Sequence, residues 1–240
     1  MQLIAMPGPF LPEWNFRVLQ EFFRLVPHND WRDTLAQFLT VNALASTWIF
    51  AAVFYFYWRI EDERTKWRRS RLAEIFVCFC LAMVATLIVR PWIAWPAPSL
   101  VQPFRALYPD YFWNDGNPNC FPSHSTLIYM IVAAGFWPFK RWLSALLMLW
   151  VLAAISLPRL YVGGHYPIDV AAAILLAGIA VWATRWICSN RHVSELIDRI
   201  VSKKMPLELF LFLWLFELAE GFRSSYFIAT GLARVARSIW

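Results

Sequence analysis

The sequence predicts an all-α fold, a polytopic membrane helix bundle with five transmembrane helices, a possible sixth, and interfacial helices. Three observations predict it. Of 240 residues, 60% are hydrophobic and only 16% are charged, with a mean hydropathy of +0.47, too little polar surface for a soluble domain. Apolar runs of membrane-spanning length recur, and short basic segments separate them. Tryptophans gather in the connection after the second run, at Trp92, Trp95 and Trp113, where an interfacial belt would place them.

The elements follow in order. Within 1–33, apolar Phe16, Leu19, Phe22 and Phe23 alternate with Arg17, Glu21 and Arg24 at helical spacing, which predicts an amphipathic helix lying on the bilayer. Thr34 to Trp58 holds no charge in 25 residues, enough at ~1.5 Å per residue to cross a core of ~30 Å. Leu72 to Val89 is the second span and ends at Arg90-Pro91. His124 to Phe139 is the third and Trp142 to Leu157 the fourth, each 16 residues, so their flanking loops should lie at the membrane surface. Pro167 to Thr184 is the fifth. Leu207 to Phe222 reads as a sixth crossing or an interfacial helix. Its acids Glu208, Glu217 and Glu220 and the basic tail after it favour the interface. A single membrane-embedded domain should cover 1–240, with a catalytic core over 72–188 and a helical tail over 189–240.

The net charge of +6 reads as a topology signal. Segments 59–71, 140–141 and 185–204 are basic and should face the cytoplasm. Segments 90–123 and 158–166 then lie outside, on the periplasmic or extracellular side of a bacterial inner or plasma membrane. A nucleic-acid partner would need a basic face on a soluble fold, and none is visible. Cys78 and Cys80 point apart on a helix, and Cys120 and Cys188 fall on opposite sides. Free thiols and no zinc site are therefore expected. No cleavable signal peptide is legible in 1–33.

The most informative stretch runs from Pro158 to Asp169, between two apolar runs. Ionisable residues so near hydrocarbon are costly and mark function by default. Pro167 suits the first position of a helix. His165 should then sit in a loop at that helix mouth, with Asp169 in the first turn orienting one imidazole nitrogen. Two other segments meet the same outer surface, Arg90-Pro91 and Phe121-Pro122-Ser123-His124-Ser125-Thr126. Ser123 is a good N-cap, the first-turn N–H groups behind it favour an anion, and Arg90 and Arg159 add planar donor forks suited to phosphate oxygens. The bland readings are a structural His165 and a snorkelling Arg90.

At these residues the chain resembles the type 2 phosphatidic acid phosphatase superfamily, lipid phosphate phosphatases related to vanadium haloperoxidases. Arg159, His165 and Asp169 match its third motif, with Pro158 where that motif has serine. Arg90-Pro91 matches the end of its first motif, and Pro122-Ser123 the start of its second. The resemblance implies that His165 attacks phosphorus to form a phosphohistidine and Asp169 orients it. His124 would protonate the leaving lipid, and Arg90, Ser123, Ser125 and Arg159 would bind the phosphate. No metal and no cofactor are implied. The implied partners are a lipid phosphate substrate and membrane lipids, and the oligomeric state stays open.

Two departures stand out. The family lysine falls at Met83, and His124 occupies the glycine position of Pro-Ser-Gly-His, with Ser125 at its histidine position. The substrates implied are polyprenyl diphosphate, phosphatidylglycerophosphate, phosphatidate or a lipid A type. The alternatives are a lipid phosphoryl or phospho-head-group transferase of the same fold and a non-enzymatic lipid-phosphate binding member.

Overall fold

Helices account for all the regular structure among the described residues. The computed structural model describes residues 13–89, 95–101, 104–108, 119–201 and 204–220. The helices are α1 (Glu13–Leu25), α2 (Asp30–Val41), α3 (Ala43–Arg59), α4 (Thr65–Val89), α5 (His124–Gly135), α6 (Arg141–Trp150), α7 (Leu157–Tyr161), α8 (Pro167–Cys188), α9 (Arg191–Val201) and α10 (Lys204–Glu220). A π turn over Val151–Ser156 joins α6 to α7, so Arg141–Tyr161 is one continuous helical stretch.

Among the described residues, two stretches can cross a membrane by length and composition, Arg141–Tyr161 and Pro167–Cys188. Asp30–Val41 and Leu44–Arg59 would make a third across a 48° bend. The bend falls at Asn42. Its N–H closes α2 on Phe38 O, and its side chain accepts from Ala45 N at 3.2 Å to open α3. Asparagine suits such a cap, so the apolar run expected from Thr34 to Trp58 is two helices. The run expected from 124 to 139 is a helix only to Gly135, followed by a turn. Residues Thr126 to Ala133 of α5 are all buried, which makes α5 the central helix, wrapped by protein on every side.

Side-chain contacts define the two ends of the bundle. At one end the start of α4 meets α8 and α9: Ala73 packs with Cys188, Val193 and Ile197, and Lys66 pairs with Asp198 at 2.9 Å. The Lys66 ammonium and the Ser70 hydroxyl hold the Asp198 carboxyl below the usual carboxylate range. Arg64, Arg68, Arg69, Arg71, Arg185 and Arg191 lie on these helix ends or just beside them. At the other end, α4 reaches the start of α5, where Met83 touches His124.

The stretch that reads as a sixth crossing or an interfacial helix, α10, packs into the main core. Leu211, Trp214 and Leu218 are buried there with Phe50, Phe54 and Phe136. Thr47 Oγ1 donates to Ala219 O and Tyr129 Oη to Leu218 O, both at 2.6 Å. The amphipathic N-terminal helix also finds protein for part of its apolar face. Leu19 of α1 is buried with Ala97, Phe104, Cys120 and Tyr166, and Phe23 packs on Tyr108 and Tyr161. Asn15 Oδ1 accepts from Ile168 N at 3.2 Å. Thus α1 lies over the loops that precede α5 and α8.

One glycine is required in those loops. Gly163 has φ +78, and a Cβ there would lie 2.8 Å from Ser99 Cβ and 3.1 Å from the Tyr108 ring. Its carbonyl accepts from Ser99 Oγ at 2.9 Å. Gly163→Ala should therefore destabilise the fold by at least ~1–2 kcal/mol, the left-handed backbone penalty alone. Thermal unfolding in detergent measures it. Gly164→Ala, whose added Cβ would stand 3.4 Å from Arg159 O, is the tolerated control.

Candidate functional site

Two helices begin side by side at the end opposite the basic one. Ser123 precedes α5, Tyr166 precedes α8, and Ser123 N–H donates to Asp169 O at 3.2 Å. Helix N-termini favour anions through their first-turn N–H groups and the macrodipole. Ser123 holds the N-cap position expected of it, but its hydroxyl makes no capping bond. It bonds Thr126 Oγ1 at 2.9 Å, and Thr126 Oγ1 bonds Ser156 Oγ at 2.9 Å. All three residues are buried. Ser156 ends the π turn, which brings its hydroxyl to α5.

His165 lies in the loop before α8, as its position ahead of Pro167 predicts. Its Nδ1 donates to the main-chain carbonyl of Cys120 at 2.9 Å. Asp169 is fully buried, with Oδ2 3.6 Å from the same Nδ1, beyond a short hydrogen bond. So a carbonyl is the nearer orienting group, and the carboxylate stands behind it. Both neighbours are acceptors, so in the neutral ring Nδ1 carries the proton and Nε2 the lone pair. Asp169 Oδ2 also accepts from Tyr166 N at 2.8 Å, which anchors the first turn of α8. Burial pushes the Tyr166 phenol upward, keeping it neutral beside this carboxylate.

Arg159 stands on α7, not in a loop, because the helix runs through the π turn to Tyr161. Its Nη1 donates to Ile155 O at 2.9 Å. His124 opens α5, and its Nε2 lies 3.0 Å from Met83 Sδ. Ser125 is partly exposed in the same turn. Arg90 lies outside the described residues. Ser123 bonds the Asp169 carbonyl and His165 bonds the Cys120 carbonyl around the mouths of α5 and α8, with His124 on the adjoining first turn and Arg159 on the helix just before the loop.

The pattern of the PAP2 superfamily matches residues 71–192, just over half of the chain. The chain belongs to the PAP2 superfamily. A segment of 67 residues is 36% identical to the lipid A 4'-phosphatase of Bacteroides thetaiotaomicron. That segment covers 28% of this chain and 28% of that protein, so the likeness reaches under a third of either. No solved structure matches the chain. As a PAP2 protein it contains the matched region from α4 to the start of α9, while α1, α3 and α10 pack around it from outside.

Three participants are absent from the sequence reading. The Cys120 carbonyl carries no sequence signal, because every residue has one. Thr126 and Ser156 are hydroxyls within apolar runs, a signal that buried polar partners were nearby. Cys120, His165 and Asp169 also offer ligand atoms within 4.8 Å of one another.

Thr126→Val keeps the volume but orphans the buried hydroxyls of Ser123 and Ser156. It should cost about 1–3 kcal/mol per orphaned group. Thr126→Ser keeps both bonds and should stay within ~1 kcal/mol of the parent for the loss of one methylene-sized group. Unfolding midpoints in detergent separate the two.

Proposed function

We propose that this PAP2 protein is a membrane lipid phosphatase that removes a phosphate or diphosphate from a lipid through a phosphohistidine on His165. One observation carries the reading: the Cys120 carbonyl holds His165 Nδ1–H, leaving Nε2 bare at the shared mouth of two helix N-termini. The Nε2 lone pair attacks phosphorus, a P–N bond forms and the P–O bond to the lipid breaks. The leaving oxygen takes a proton from His124. Water then attacks phosphorus and gives its proton to His124, the P–N bond breaks, and inorganic phosphate leaves with both histidines restored. Asp169, buried 3.6 Å behind Nδ1, stabilises the positive ring during transfer. Ser123, Ser125, Arg159 and Arg90 bind the phosphate oxygens, and no metal takes part.

The contact of His124 with Met83 bears on its role. In the family resemblance a lysine stands at position 83, so the imidazole of His124 brings a protonatable group to the place of the missing ammonium. His124 then serves two needs, charge at the phosphate and a proton for the leaving oxygen.

The substrate is a lipid phosphate whose head reaches the outer mouth of the bundle. The relative named a lipid A 4'-phosphatase supports a lipid A type substrate ahead of polyprenyl diphosphate, phosphatidylglycerophosphate and phosphatidate. The arginines at the far end of the bundle support a cytoplasmic placement for that end, and hence a periplasmic or extracellular site. The whole of 1–240 then acts as one membrane-embedded unit.

Phosphate release from a panel of these four lipid classes, by protein purified in detergent, tests the reading. His165→Ala should lower the rate by about 10³-fold or more, as loss of a covalent nucleophile does. Equal rates in the parent and His165→Ala overturn it. Arg159→Ala should chiefly raise KM if the guanidinium binds phosphate in both ground and transition states. The paired variant M83K/H124G, which restores the family's residue types, should keep KM within about tenfold of the parent if His124 supplies charge. Because that variant has no imidazole at 124, its kcat should fall sharply if His124 also supplies the leaving-group proton, and a kcat kept near the parent's overturns that second role.

A further inference from the structure

We propose that Cys120, His165 and Asp169 form a binding site for a thiophilic divalent cation of the zinc type, and that the bound cation silences His165. The site's existence stands on its own geometry. Its inhibitory effect rests on the reading of His165 as nucleophile.

The three side chains come from two segments, 119–123 and 165–169, drawn together by the Ser123–Asp169 and His165–Cys120 hydrogen bonds. One ligand atom from each, a thiol sulfur, an imidazole nitrogen and a carboxylate oxygen, lies within 4.8 Å of the others. A tetrahedral zinc with bonds of about 2.0–2.3 Å separates its ligand atoms by roughly 3.3–3.8 Å, so closing the trio needs a shift of about 1 Å. The donor set suits a borderline-soft ion. It does not suit Mg²⁺, which takes oxygen ligands in an octahedron.

Two further observations point to a ligand. Asp169 is fully buried, and while Oδ2 accepts from Tyr166 N, Oδ1 has no hydrogen-bond partner among the described residues. A fully buried carboxylate with an unused oxygen is costly. A cation beside it would relieve that cost. The charges also match: one thiolate and one carboxylate neutralise one divalent ion. Cys120 is not in a disulfide, and its Sγ makes a long contact to Pro96 O at 3.7 Å. The His165 side chain keeps 15% of its surface open, which provides a way in from the mouth.

The proton balance is simple. The Cys120 thiol releases one proton to solvent as the metal–sulfur bond forms. His165 binds the metal through Nδ1, so its ring proton moves to Nε2 and the bond to the Cys120 carbonyl is given up. Nε2 is then an N–H donor without a lone pair, and it can no longer attack phosphorus.

The test uses the full chain in detergent, stripped with EDTA and then exposed to Zn²⁺ alone. Elemental analysis after gel filtration should find one zinc per chain, and Cys120→Ser should lose it. Cd²⁺ should give a thiolate-to-metal charge-transfer band in the parent and in the triple variant C78S/C80S/C188S, but not in Cys120→Ser. No retained zinc, an unchanged band in Cys120→Ser, or a band lost in the triple variant overturns the site. These readouts stand whether or not the protein proves to be a phosphatase. If it does, Zn²⁺ should slow phosphate release and EDTA should restore it, while Mg²⁺ has no effect. In Cys120→Ser the inhibition constant, read against that variant's own metal-free rate, should rise about tenfold or more for the lost ligand. Equal zinc sensitivity in parent and variant overturns the inhibitory role.

Discussion

The site depends on a reciprocal pair of main-chain contacts between the segments that lead into α5 and α8. The Cys120 carbonyl accepts from His165 Nδ1, and the Asp169 carbonyl accepts from Ser123 N. Each such bond is worth only about 0.5–1.5 kcal/mol net in a folded protein. They persist because both segments are clamped by packing. Tyr166 and Cys120 are buried in one cluster with Leu19, Ala97 and Phe104, so α1 and the 95–108 region hold the crossing closed.

The electrostatic design uses dipoles and hydrogen-bonded groups more than a crowd of charges. Two helix N-termini converge, a carboxylate is buried behind the imidazole, and three hydroxyls form a buried chain from Ser123 to Ser156. Most arginines of α4 and α8 sit at the far end. The π turn carries α6 onward into α7, so Arg159 stands on a helix, where its guanidinium bonds Ile155 O. A helical insertion of this kind is frequent beside functional sites.

The pairing of His124 with Met83 joins the two departures from the PAP2 pattern in one place. Read singly, a missing lysine and a displaced histidine each weaken the site. Across α4 and α5 the two positions are in direct contact.

Local order was legible because it rests on local rules. The apolar runs announced the helices, Pro167 announced the start of α8, and His165 and Asp169 followed from four residues of spacing. The basic segments marked one end of the bundle before any coordinates. What lay beyond reach depends on contacts between distant segments. Asn42 splits an apolar run that carries no charge, α5 stops at Gly135 where a turn follows, and α10 enters the core through Trp214 despite its acids. The group that aims His165 is a carbonyl 45 positions away, identical in kind to every other carbonyl of the chain. Sequence by itself placed Ser123, His124, His165 and Asp169 at the starts of two helices. Only the tertiary structure decided which backbone groups face them, since an acceptor that every residue carries becomes specific only through where the chain crosses itself.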